Sequence, residues 1–186
     1  MAKLQRCAVL VRGVNVGGHN RLPMQEFAAV LGQLGCVDVR TYLQSGNAVV
    51  TADPTELSER VEQALVAAFD LTVRVLVRTA AELAAVVAGN PFPKRVKEPK
   101  RLHVAFLSAV PSRQLLNGLR PERYAPDELG VGAQELYLSY DGGSQQSKLT
   151  GATLEKALAP IAVTARNWTT VLALRDLTAA GQPPNA

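Results

Sequence analysis

Val37-Asp-Val-Arg-Thr-Tyr-Leu-Gln-Ser-Gly-Asn-Ala-Val-Val-Thr51 decides the fold. Val37, Val39, Thr41 and Leu43 recur with the period of a strand, and Ala48 to Thr51 is a second β-prone run. Between them, Gln44-Ser45-Gly46-Asn47 has the residue types of a hairpin turn. Helical patterns flank this hairpin. Upstream, Pro23 suits a first helical turn, Met24, Phe27, Ala28, Leu31 and Leu34 share one face, and Gly35 supplies a stop. Downstream, Pro54 opens a helix with Leu57, Val61, Leu65 and Ala68 on one side. Apolar runs at residues 6–12 and 72–77 add a strand at either end. Thr79 then caps an alanine-rich helix ending near Gly89.

The order β-α-β-β-α-β is that of the ferredoxin-like, or split βαβ, unit. It then repeats. Strands are expected at 102–108, near 128–133, at 136–140 and at 161–164, with helices at 112–119, 150–159 and 167–179. No residue identity between the halves is obvious, so the repeat is one of element order. The expectation is an α+β fold of two ferredoxin-like halves, residues 1–89 and 101–180, each an antiparallel sheet backed by helices. Residues 90–100 form a basic, Pro-rich linker and 181–186 a frayed tail. The expected core is Val9, Leu10, Phe27, Leu31, Leu34, Val49, Leu65, Val75, Val104, Phe106, Leu138, Leu154 and Leu174.

The chain has 186 residues, 47% hydrophobic and 19% charged, an ordinary globular composition. The net charge is +4, and the stretch Lys94 to Arg101 carries five basic residues against the single acid Glu98. Such a run is ordinarily a solvated linker; nucleic acid is a weak candidate partner for it. No apolar run is long enough to span a bilayer, and Lys3, Gln5 and Arg6 interrupt any leader-like apolar start. Cys7 and Cys36 read as buried free thiols. The expectation is a soluble, cytoplasmic protein without a membrane partner.

Topology places the polar loops. In a split βαβ unit the first two strands are parallel, with the third antiparallel between them. The loop after strand one and the hairpin turn therefore share one end of the sheet. Arg12-Gly-Val-Asn-Val-Gly-Gly-His-Asn-Arg21 fits neither a dinucleotide fingerprint nor a P-loop. With the turn, it assembles Arg12, Asn15, Gly17, Gly18, Arg21, Gln44, Ser45 and Asn47 as a candidate ligand-binding cleft. Charge from the arginines and directional bonds from the amides suit an anion. A second polar group, Ser147, Lys148, Thr150, Arg166, Asn167 and Trp168, falls at the corresponding far end of the second half. Thr150 and Asn167 suit helix N-caps there, and Trp168 suits packing.

The acid–base inventory is thin. His19 and His103 are the only histidines, and His103 alternates within a strand as a structural residue would. There is no Cys/His spacing for zinc and no nucleophile elbow. No metal is expected, and no cofactor or catalytic residue is specified.

Arg12-Gly-Val-Asn-Val-Gly-Gly18, Thr41-Tyr-Leu-Gln-Ser-Gly-Asn47, Asn90-Pro-Phe92, Ser147-Lys-Leu-Thr150 and Arg166-Asn-Trp-Thr-Thr-Val171 occur in this order. On these motifs the chain closely resembles an uncharacterised bacterial family, a domain of unknown function. The resemblance runs from about residue 6 to 178; Ala165 departs from the threonine more usual there. It implies a small cytoplasmic α+β protein of two related halves and carries no established activity, so no catalytic role is transferred. The leading functional expectation, drawn from the loops, is binding of a phosphorylated or otherwise anionic ligand, a nucleotide or nucleic acid among them. The rivals are a small-molecule enzyme using the same loops and a structural or interaction module without a ligand.

Overall fold

The computed structural model describes residues 3–180; the tail 181–186 lies outside them. The first sheet is built from β1 (Gln5–Val11), β2 (Val37–Tyr42), β3 (Asn47–Ala52) and β4 (Val75–Thr79), with α1 (Met24–Gln33) and α2 (Leu57–Phe69) between them. Its strand order is β2-β3-β1-β4, with every neighbour antiparallel. After α3 (Ala80–Ala88) the pattern recurs: β5 (Leu102–Leu107), α4 (Arg113–Leu119), β6 (Glu128–Val131), β7 (Glu135–Ser139), α5 (Gly151–Leu158), β8 (Val163–Asn167) and α6 (Trp168–Ala179). The second sheet runs β6-β7-β5-β8, again antiparallel throughout. The fold is α+β in two halves, each a four-stranded sheet backed by helices in a ferredoxin-like arrangement.

Alternation explains each core. Cys7, Val9 and Val11 of β1 and Ala48 and Val50 of β3 share a core with Phe27 and Leu31 of α1 and Leu57, Val61 and Leu65 of α2. In the second half Ala105, Leu107, Leu136 and Leu138 meet Leu119, Leu154 and Leu158. Of the expected core residues all are buried except Leu34, the C-cap of α1, which is half-buried against the first cluster.

Three elements differ from their sequence expectation. In β2 the strict alternation fails, because Asp38 adopts φ +52° and the register with β3 shifts between Val37 and Arg40. That bulge leaves Val37 exposed and Val39 half-buried. Leu43 leaves the strand altogether, at φ +56°. β4 begins at Val75 and continues through Arg78, where the reading had 72–77. β8 likewise runs Val163–Asn167 and includes Arg166, where the reading had 161–164.

In β4 and β8 the cause of the extension is shared. Arginine normally marks a surface, yet Arg78 and Arg166 are both buried within their strands. Each folds back so that Nη1 donates to the preceding carbonyl, Val77 at 2.8 Å and Ala165 at 2.9 Å. The residue after each arginine ends the strand and caps the next helix. Thr79 and Glu82 form a reciprocal capping box, and Asn167 Oδ1 accepts from Thr170 N–H at 2.8 Å.

The chain divides into two units: residues up to Ala84 with those from Leu174 on, and Ala85–Ala173. Arg6 Nε and Nη2 donate to the Leu177 carbonyl at 3.3 and 3.2 Å, within the first unit. Within residues 90–100, Pro93–Lys97 forms a short 3-10 helix.

Candidate functional site

The end of β1 and the hairpin turn adjoin. Val11 N–H donates to the Gly46 carbonyl at 2.8 Å, and Asn15 Nδ2 reaches the Gln44 carbonyl at 2.7 Å. Asn15 is fully engaged: Nδ2 also donates to Leu22 O, and Oδ1 accepts from Leu22 N–H, both at 2.8 Å. Asn47 is buried and donates to Tyr42 O and Ser45 Oγ. Gly17 and Gly18 form the central pair of a tight turn, with φ +59° and +79°, closed by His19 N–H on Val16 O. Gly46 admits no side chain: a Cβ there would stand 2.5 Å from Val14 Cγ2. The amides thus satisfy their own loops. Asn15, Ser45 and Asn47 shape the turn, while Gln44 and Arg21 are exposed.

A cleft of about 500 Å³ is lined by Arg12, Gly13, Asn20, Glu62, Gln63, Val66, Thr72, Val73 and Arg74. Arg12 N–H donates to Arg74 O at 2.9 Å, extending the β1–β4 ladder one residue past the Val11–Val75 pair. The two arginines therefore face one another across the strands. Glu62, on α2, accepts from Val75 N–H through Oε1 at 2.8 Å and from Arg74 Nη1 through Oε2 at 3.2 Å. Arg74 is 59% exposed, and its Nε and Nη2 have no partner among the described residues. Asn20 Nδ2 donates to Gly13 O at 3.1 Å and ties the rim.

Thr72, Val73 and Arg74 escape a sequence reading that runs the strand through 72–77, and Glu62, Gln63 and Val66 lie on α2 outside its core-facing stripe. The signal was available in the topology. A fourth strand antiparallel to the first must start where the first one ends. The second half supplies an internal comparison: Ser108 N–H donates to Ala162 O at 2.9 Å, at the corresponding strand ends. The fold therefore accommodates serine and alanine where the first half carries two arginines.

The second polar group is mostly structural. Ser147 Oγ donates to Asp127 Oδ2 at 2.5 Å and accepts from Leu149 N–H. Thr150 caps α5 through Thr153 N–H, and Asn167 caps α6. Arg166 is buried, its Nη1 on Thr164 Oγ1 at 2.8 Å, and burial pushes its pKa down to about 10. Trp168 is 2% exposed and offers no face for stacking. Only Lys148 and Thr150 of this set are exposed.

The basic stretch is partly neutralised. Arg95 pairs with Glu98 at 3.1 Å and Asp141 at 3.2 Å, and Arg101 pairs with Glu98 at 3.0 Å. Lys94, Lys97 and Lys100 are exposed. A second cleft, about 480 Å³, is lined by Pro91, Phe92, Pro93, Lys94, Arg95, Glu98 and Glu128.

Residues 4–137 match a family described as protein of unknown function (DUF1697). The chain belongs to this family. No curated protein matches it. The solved structure of the conserved bacterial protein SP0830 from Streptococcus pneumoniae is similar, with a TM-score of 0.76 at 20% identity, covering 95% of this chain and 99% of that one. That likeness speaks to the fold.

In this DUF1697 chain His103, Cys7 and Cys36 are packing residues. The His103 ring meets Tyr140 edge-on, centroids 5.1 Å apart, and its Nδ1 is buried without a partner. Burial lowers its pKa to about 4, so the ring is neutral at pH 7. Cys7 and Cys36 are free. Burial, and then the neighbouring Cys36, push Cys7 up to about 12. Burial also raises Cys36, against the pull of Arg60. No described helix is long and apolar enough to cross a membrane, and no described His/Cys/Asp/Glu group could hold a metal.

Proposed function

We propose that this protein binds a small anionic organic ligand in the cleft between the Arg12–Arg21 loop, α2 and the start of β4. The observation that carries the reading is Arg74: a guanidinium on the wall of a 500 Å³ cleft, opposite Arg12, with Nε and Nη2 open. Guanidinium forks fit carboxylate and phosphate oxygens two at a time. The volume falls in the range of small-molecule sites. Of the candidate set, Arg12 lies in the cleft wall and Arg21 follows the lining residue Asn20 in sequence. The amides and glycines act as the frame.

Nucleic acid is a weaker partner in this reading, because acids already pair two arginines of the 94–101 run. We place the protein in the cytoplasm, in keeping with two free thiols in one core. We read the halves as an internal duplication, supported by matching strand orders.

The test is a thermal-shift screen of organic carboxylates and phosphates. A ligand at 100 times its Kd stabilises by about 2.7 kcal/mol. Arg74→Ala should abolish that stabilisation while leaving the unliganded protein within about 1 kcal/mol of wild type, since its exposed ion pair contributes little. A screen in which no anion stabilises the protein refutes the reading.

A further inference from the structure

We propose that Glu62 sets the charge of the ligand: the cleft takes an organic monoanion, a carboxylate or a phosphodiester, in preference to a dianionic phosphate monoester. The inference rests on the cleft reading above. Glu62 is a lining residue, and neither of its oxygens is idle. Oε1 holds the first N–H of β4, at 2.8 Å, and Oε2 holds Arg74 Nη1, at 3.2 Å. Moving it aside would strip a partner from the Val75 N–H, a part-buried backbone donor. The negative charge is therefore a fixed feature of the wall.

A ligand anion that reaches Arg74 Nε and Nη2 shares that guanidinium with Glu62. One carboxylate, or the two free oxygens of a phosphodiester, fills the open side of the fork. A second negative charge on the same ligand gains no further donor from Arg74 and is repelled by Glu62 as the first one is. The rest of the ligand extends from the charged end over Val66, one helical turn beyond Glu62, and over Thr72, two residues before Arg74. These supply apolar contact and a hydroxyl, which suits an organic body and gives a bare inorganic ion little to fill the space.

Glutamine removes the charge and keeps the contact to the strand. In Glu62→Gln the side-chain oxygen still accepts from Val75 N–H, while the negative charge, and with it the acceptor for Arg74 Nη1, is gone. The experiment is calorimetric titration of the full chain at pH 8, where a phosphate monoester is dianionic because its second pKa is about 6. The probes are benzoate, methyl phenyl phosphate and phenyl phosphate, which share a ring and differ in the charged group. Wild type should bind the two monoanions more tightly than phenyl phosphate, and the tighter of the two identifies the headgroup. Glu62→Gln should tighten phenyl phosphate by about tenfold and reverse the order. Arg74→Ala should weaken all three.

Phenyl phosphate binding tightest to wild type, or an order unchanged in Glu62→Gln, would overturn this inference while Arg74-dependent binding kept the cleft. Absence of binding by all three probes at millimolar concentration, or binding indifferent to Arg74→Ala, would remove the cleft and the inference together. Should Glu62→Gln fail to fold, the wild-type order alone decides.

Discussion

His103 shows what burial does to a single side chain. Its ring lies against Tyr140 with Nδ1 buried and unpartnered among the described residues, and burial penalises the charged form. The folded pKa is about 4 against 6.5 for the free side chain. Below pH 6.5 the unfolded chain takes up a proton that the folded one refuses. Stability is thus lost as pH falls from 6.5 towards 4, by up to about 3 kcal/mol, and this group adds no slope above 6.5. His103→Phe should flatten that part of a stability-against-pH curve measured by urea unfolding; an unchanged slope would show the ring is solvated. Cys7 makes a parallel case. With its thiol pushed up to about 12, almost no thiolate exists at pH 8. Iodoacetamide should therefore leave Cys7 unmodified in the native protein and alkylate it once urea has unfolded the chain.

At the scale of elements, the loop between β1 and α1 is held as one piece by Asn15. Its amide joins Leu22 at one side and Gln44 at the other, at a backbone φ of +56° that asparagine tolerates. Asn15→Ala loses three hydrogen bonds and leaves part-buried backbone groups unpaired, which should cost about 1–3 kcal/mol in denaturant unfolding. Thr79→Ala, removing a capping-box hydroxyl, should cost about 1 kcal/mol. These elements also mark how far the sequence could be read. The hairpin around Gln44–Asn47 and the helix periodicities depend on local chemistry, so strand order followed from them. What was not legible was where a buried arginine continues a strand, as at Arg78 and Arg166, since charge ordinarily signals an end. Nor did Asn15 or Asn47 disclose that their amides would bond inward; the same residue types serve a turn or a ligand, and only geometry separates them. Arg74 was overlooked because it lay inside a run read as strand.

For the whole molecule, the two halves have the same strand order and different surfaces at corresponding strand ends: paired arginines in one, Ser108 and Ala162 in the other. The first core supports its cleft through α2, whose Leu57, Val61 and Leu65 are buried. Leu31→Ala in that core should cost about 2–5 kcal/mol, from lost transfer energy and the cavity left behind. Charge over the whole chain is modestly positive, at +4, and part of it is paired. Duplex DNA should accordingly bind weakly and without sequence preference, with a log–log salt slope of about −0.9 per phosphate contacted. The central claim is that the anion site lies at the Arg12–Arg74 strand ends. Its most direct measurement is an amide NMR titration of the full chain with benzoate. The account predicts saturable shifts at Arg12, Gly13, Asn20, Thr72, Val73, Arg74 and Val75. Shifts confined to Lys94–Arg101 or Lys148–Thr150, or none at all, would contradict it.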